Sequence, residues 1–241
     1  MKLSAPVHRL KQQARRLSRE AKIPLCRALD RIAAREGFSS WSLLAAKAAP
    51  PSPAAGVLAR LEPGDMLLIA ARPGQGKTLM GLRLAVEAMR AGRRSTVFTL
   101  EDTPRGVGDR LRAVGADEST FGGLFELDAS DDIDAATIVA RLASAPPGSF
   151  ALVDYLQLLD RRRENPPLAE QVAALRAFAR RRGLILAFLS QIDRAYDPAV
   201  KPFPGLDDVR LANPLDLGLF DKACFLNGGA VRFQRVEPAA A

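Results

Sequence analysis

The sequence predicts an α/β protein, a mainly parallel sheet with helices on both faces, preceded by a small all-α unit. Three observations carry that prediction. From Met66 onward, short apolar runs suited to buried strands alternate with segments whose apolar residues recur at helical spacing, the pattern of a parallel sheet covered on both sides. Between the first such run and the first such helix lies Ala71-Arg-Pro-Gly-Gln-Gly-Lys-Thr78, a glycine-rich turn of the kind that cradles phosphate. Charge, finally, divides the chain. Residues 1–49 hold 11 Lys and Arg against 3 Asp and Glu, whereas the remaining 24 basic residues are matched by 24 acidic ones, so the whole net charge of +8 lies in the N-terminal segment.

The elements follow in order. Leu3 to Arg19 has helical spacing of Leu and Ala, Pro24 opens a second helix running to about Glu36, and Gly37 stops it. Ser39-Ser40 then offer an N-cap to a short helix carrying Trp41, Leu43 and Leu44. Residues 1–48 therefore read as a basic helical unit. The prolines and small residues from Ala48 to Gly56 read as a semi-rigid linker, taken as 49–63, with the α/β domain over 64–241. Within that domain strands are expected at 66–71, 95–100, 124–127, 149–154 and 184–190, and helices at 77–91, 103–115, 132–144 and 166–182. Two late strands near 222–227 and 230–236 form an antiparallel edge.

The chemistry starts at the glycine turn. Small residues let consecutive N–H groups curl round a β-phosphate, and the following helix points its positive end at the same anion. Arg72, Pro73, Gly74, Gln75, Gly76, Lys77, Thr78 and Leu79 make up the expected nucleotide cradle, with Lys77 reaching the β- and γ-phosphates and the Thr78 hydroxyl ligating Mg²⁺. The common pattern opens on Gly where this chain has Ala71; the strand before and the helix after supply the context. A second carboxylate belongs to the same plan: Phe150-Ala-Leu-Val-Asp154 is an apolar strand ending in an acid, which places Asp154 at the carboxyl edge of the sheet beside Mg²⁺.

Composition narrows the class further. Cys26 and Cys224 lie in different segments without metal-ligand spacing, and His8 is the only histidine, which speaks against a zinc site or histidine-based catalysis. No run has the apolar length of a membrane span, and the basic start lacks the apolar region of a signal peptide, so a cytoplasmic protein without a membrane partner is expected.

Four segments carry a resemblance. Ala71 to Thr78, Phe98-Thr-Leu-Glu101, Leu152-Val-Asp-Tyr-Leu-Gln-Leu-Leu159 and Leu189-Ser-Gln-Ile-Asp-Arg194 stand in the order and approximate spacing of the RecA-like P-loop motor domain of DnaB-type replicative helicases, over roughly residues 57–229. The resemblance implies a RecA-like P-loop NTPase using ATP and Mg²⁺. It makes Glu101 the carboxylate that polarises the attacking water and Gln191 the polar sensor of the γ-phosphate. With Lys77 and Asp154 these complete the expected catalytic set. It also implies single-stranded DNA as partner, a homo-oligomer or ring, and a replication or mobile-element protein as associate. The chain departs from the family near its end. The family's basic finger sits in a Lys-x-Arg-Asn-Gly-Pro-like turn between two late strands. Here Asn227 passes through Gly228-Gly229 directly to Ala230, leaving Arg232 and Arg235 as the nearest substitutes. Gly205 to Arg210 resembles the family's Asp-Leu-Arg segment, but the acidic, glutamine-bearing stretch expected next has become Leu211 to Asp216. Two functions follow: an ATP-hydrolysing helicase-like protein acting on DNA, or a nucleotide-sensing binding or loading factor that never unwinds.

Further basic runs are weighed on electrostatics alone. Arg93-Arg94 and Arg180-Arg-Arg182 stand at helix ends, where cations suit the negative pole. Arg161-Arg-Arg163 follows the Asp154 strand and is a candidate DNA contact. The N-terminal unit reads equally as a nucleic-acid-binding module and as a docking domain with a solvated basic face.

Overall fold

The computed structural model describes residues 3–48, 52–116, 122–160, 164–211 and 213–237. The chain divides into two units, Met1–Pro51 and Ser52–Ala241.

The first unit is three helices, α1 (Val7–Glu20), α2 (Leu25–Arg35) and α3 (Trp41–Ala48). Leu10 and Ala14 of α1, Ala28, Ile32 and Ala33 of α2 and Leu44 of α3 form its core, with Phe38 and Trp41 packed against it. The helix expected from Leu3 begins instead at Val7, because Pro6 holds an extended backbone (φ −56°, ψ 145°) at its N-cap and disfavours helical geometry in the residue before it. The Ser40 hydroxyl accepts from Leu43 N–H at 3.3 Å, the cap expected for α3, while Asp30 accepts from Trp41 N–H at 2.9 Å.

In the second unit the expected linker contains a helix, α4 (Pro53–Leu58). Ser52 caps it by accepting from Ala55 N–H at 3.0 Å and donates to Glu87, while Ala54, Val57 and Leu58 are buried. Pro53 sits in the first turn, where a missing N–H costs nothing, so the same proline and alanine content serves a short buried helix.

Seven strands follow: β1 (Met66–Ala71), β2 (Ser95–Thr99), β3 (Phe125–Asp128), β4 (Phe150–Asp154), β5 (Ile185–Gln191), β6 (Lys222–Asn227) and β7 (Ala230–Arg235). They pair in the order β3-β2-β4-β5-β1-β6-β7, all parallel except the last pair. Helices α5 (Lys77–Arg90), α6 (Pro104–Ala113), α7 (Ala135–Leu142) and α8 (Leu168–Arg182) connect them. Side chains alternate across the sheet as the two-residue repeat of a strand requires. Leu67 and Ile69 of β1 face the cluster made with α4, α5 and α6, and Met66 and Leu68 face the cluster made with α7 and α8. Because both faces are covered, the central strands are apolar along their whole length, which is why they are legible as continuous runs.

One buried polar side chain organises the segment after β4. Gln171 of α8 is 2% exposed; its amide donates to the Leu159 and Pro166 carbonyls at 2.6 and 2.7 Å, and its oxygen accepts from Ala135 N–H at 3.0 Å. Three backbone groups are thereby satisfied away from water. Gln171→Leu keeps the volume and orphans all three, so it should lower stability by roughly 2–4 kcal/mol, read as a reduced urea midpoint at unchanged slope.

Candidate nucleotide site

The site is assembled at the carboxyl ends of β1, β2, β4 and β5. Gly74 and Gly76 have φ of +76° and +83°, a conformation that side chains strain to adopt. A Cβ built on either would meet nothing within 4 Å, so the space over the turn is open for a close-approaching anion. Gly76 is also the N-cap of α5 and offers no side chain to its first turn. The leading N–H groups of α5 therefore lack a side-chain cap, and the positive pole of a 14-residue helix is presented at the loop.

The sequence-predicted residues lie round this turn. Lys77 Nζ is 3.9 Å from Glu101 Oε2, with Lys77 largely covered and Glu101 more open. The sheet register sets Thr99, two residues before Glu101, opposite Asp154, and Ala71 opposite Gln191. Asp154 is 2% exposed, and its Oδ1 has no hydrogen-bond partner among the described residues. Burial pushes its carboxyl up to about 6, the Glu101 carboxylate adds to the rise, and Lys77, the Thr78 hydroxyl and Arg110 oppose it. An orphaned buried carboxylate oxygen beside a threonine hydroxyl is a donor set that fits a hard divalent cation. Gln191 ends β5 with its side chain partly exposed; its carbonyl accepts from Arg210 N–H at 2.8 Å, and Gln157 donates to the Arg210 carbonyl at 3.0 Å. Arg72 and Pro73 lead into the turn, and the Arg72 carbonyl accepts from Gln75 N–H at 3.2 Å.

Beside the turn a cleft of about 360 Å³ runs between Gly74, Gln75, Leu79 and Arg83 on one side and the β6–β7 turn on the other. Gln75 Oε1 accepts from Gly228 N–H at 2.9 Å, so the β6–β7 turn is tied to the glycine loop of its own chain. Neither suggested substitute for the finger reaches this turn: Arg232 lies opposite Phe225 in mid-strand, and Arg235 lies opposite Lys222 at the far edge of the sheet. Arg161 to Arg163 lie outside the described residues. Arg94 is near Glu126 at 3.5 Å, Arg180 pairs with Asp221 at 2.9 Å, and Arg182 donates to the Ala143 and Ala145 carbonyls.

Sequence reasoning missed Arg110. Its Nε donates to Asp102 Oδ2 at 2.5 Å, and Asp102 directly follows Glu101. A Cβ at Gly106 would collide with Asp102 Oδ1, so glycine there makes room for the carboxylate that holds Arg110. The signal was present as Asp102, Gly106 and Arg110 at successive four-residue steps, one face of a helix. Among the described residues no group of three or more His, Cys, Asp and Glu could hold a metal, and no helix is long and apolar enough to cross a membrane.

No protein-family model matches the chain, and no curated protein matches it. Solved structures do. One, described as the ATPase domain of a larger protein, is 21% identical with a TM-score of 0.53, covering 69% of this chain and 70% of that one. A DnaB-like replicative helicase, described with its interactions with primase, is 16% identical with a TM-score of 0.59, covering 96% of this chain and 71% of that one. The fold is thus the RecA-like α/β fold of DnaB-like helicase ATPase domains.

Asp154 also sets a pH dependence. Its folded carboxyl titrates near 6, above the ordinary 3.8, so the folded state holds the proton more tightly and stability falls as pH rises from about 4 to 6. Asp154→Asn removes that penalty and should stabilise the ligand-free protein by about 2–3 kcal/mol at neutral pH. The gain should vanish below about pH 4, as read from melting temperatures of both proteins across pH.

Proposed function

We propose that the chain binds ATP with Mg²⁺ and hydrolyses it, as a DnaB-like helicase-related protein acting on DNA. One observation carries the reading: Lys77, Thr78, Glu101 and Asp154, far apart in sequence, converge on an open glycine turn at the head of α5. The turn's N–H groups and the α5 pole receive the β-phosphate, and Lys77 the β- and γ-oxygens. Thr78 and Asp154 hold Mg²⁺, which when bound neutralises charge on the phosphate oxygens. Glu101 orients a water in line with the γ-phosphorus and takes its proton as the new P–O bond forms. The bond to the bridging oxygen breaks, and that oxygen leaves with ADP. Gln191, next to the loop in the sheet register, is positioned to respond to the γ-phosphate. Arg110 is the second cation of the same chain within reach, parked on Asp102. The cleft between Leu79, Arg83 and the β6–β7 turn has room for the nucleoside.

A second reading, a nucleotide-sensing binding or loading factor without unwinding, has its own support. The β6–β7 turn carries no basic residue and is bound to its own loop through Gln75, so it offers no finger to a neighbouring subunit. The two readings separate in one experiment: steady-state ATP hydrolysis with and without single-stranded DNA, alongside mass by light scattering. Turnover stimulated by DNA in an assembly larger than a dimer supports the motor. Tight ATP binding with negligible turnover and no response to DNA supports the sensor.

Three variants test the chemistry. Lys77→Ala should abolish turnover; full ATPase activity in that variant would overturn the reading. Glu101→Gln should keep ATP affinity within a few-fold while lowering kcat by at least about 10²-fold. Arg110→Ala should lower kcat by about 10²-fold with ATP affinity largely kept, and mixing it with Lys77→Ala chains should restore nothing, because the guanidinium acts within its own chain.

A further inference from the structure

The first unit carries all of the net charge and takes no part in the site just described. Its three acids are all engaged internally. Glu20 pairs with Arg16 at 2.7 Å, Asp30 accepts from Trp41 N–H, and Glu36 accepts from the Ser4 N–H and hydroxyl. What remains is a set of exposed cations without an acidic partner among the described residues. Lys11, Arg15 and Arg19 form one row along α1, and Arg27, Arg31 and Arg35 another along α2. Each row steps every four residues, a rise of roughly 6 Å per step on a rigid helix, comparable with the distance between successive phosphates of a nucleic-acid strand. The core faces of both helices are already buried against each other and α3, so these rows look outward. Repulsion among six unpaired cations works against the unit until a polyanion relieves it.

The unit's aromatic residues decide which polyanion. Phe38 and Trp41 are its only large aromatics, and both pack on its core, so no platform is left on which splayed bases would stack. We infer that the α1 and α2 rows form a sequence-independent binding surface for the phosphate backbone of duplex DNA, separate from any single strand engaged by the nucleotide-binding unit. The surface reads charge and helical backbone shape, and makes no base contacts. It does not depend on the nucleotide reading, since none of these side chains belongs to that site.

The test uses the full chain and a labelled duplex of about 20 base pairs, with the matching single strand, in anisotropy titrations from about 50 to 200 mM salt. The comparison is between the parent chain, the variant Arg15→Gln/Arg19→Gln/Arg27→Gln/Arg31→Gln and Lys77→Ala. Duplex affinity of the fourfold variant should fall at least tenfold at the lowest salt, and its dependence of log affinity on log salt should flatten by about 3 to 4, roughly 0.9 per lost phosphate contact. ATP affinity should stay unchanged as the control on folding, and Lys77→Ala should keep the parent's duplex affinity. The milder pair Arg27→Gln/Arg31→Gln should show about half the change in slope, which keeps the test decisive if the fourfold variant folds poorly. Parental affinity and slope in both variants would overturn the inference. So would a surface that discriminates in favour of the single strand, or one that ignores DNA and binds only acidic proteins.

Discussion

The parallel register of four strands is the constraint on which the candidate site depends. Thr99 lies opposite Asp154, Val153 opposite Phe188, and Ala71 opposite Gln191, so β2, β4, β5 and β1 end in step at one edge. Residues 77, 101, 154 and 191 share no local sequence relation; parallel pairing through helical crossovers alone brings them together. The register is firmly specified because both faces are buried. A slip of one residue would exchange the two side-chain sets of a strand, sending Leu67 and Ile69 into the space shaped for Met66 and Leu68. The apolar content of the sheet thus positions the polar residues at its end.

That rigidity is what allows an ill-solvated carboxylate to persist. Asp154 ends a strand whose residues are all buried, and no donor satisfies its Oδ1 among the described residues. Elsewhere in the second unit buried polar groups are matched. Gln171 satisfies three backbone groups, and Asp221 accepts from Met66 N–H, Arg176 and Arg180 where β1 and β6 begin. Lys222, 5% exposed, donates to the Arg60 carbonyl and to Asp65. The opposite edge of the sheet is stapled by charge, while the carboxyl edge keeps an open loop and an unsatisfied acid. This asymmetry separates a part of the sheet that stabilises from a part that binds.

Much of this was legible in the sequence, for a physical reason. Strands buried on both faces must be apolar throughout, so MLLIAA, FALVD and ILAFLSQ announced themselves, and the expected bounds match the observed elements closely. The glycine turn was legible because positive φ and open space over the backbone demand a residue type. Other features left no such mark. α4 lay hidden in a proline- and alanine-rich stretch, since a proline in the first turn of a helix and a proline in a linker look alike. Gln171 reads as one more polar residue of an amphipathic helix until its three backbone partners are known. Arg110 needed the knowledge that Gly106 leaves room for Asp102, a contact between side chain and absent side chain that no periodicity reports.

The charges of the site suggest why it is arranged as it is. Two cations face three carboxylates, and each cation is already near one: Lys77 beside Glu101, Arg110 on Asp102. Asp154 is the carboxylate left over, consistent with the rise of its titration toward neutrality. In the reading proposed above, a triphosphate with its divalent cation brings the complementary charges. The phosphate oxygens compete for Lys77 and Arg110, and the cation answers Asp154. Drawing Lys77 toward phosphate relieves Glu101 of its neighbouring ammonium, which raises its basicity when a water must be deprotonated. The carboxylates would then hold the two cations in waiting and exchange them for the substrate, using groups that one chain supplies by itself. A β6–β7 turn bound to its own loop by Gln75, with no basic residue to extend, fits a site organised within one chain rather than across a subunit boundary.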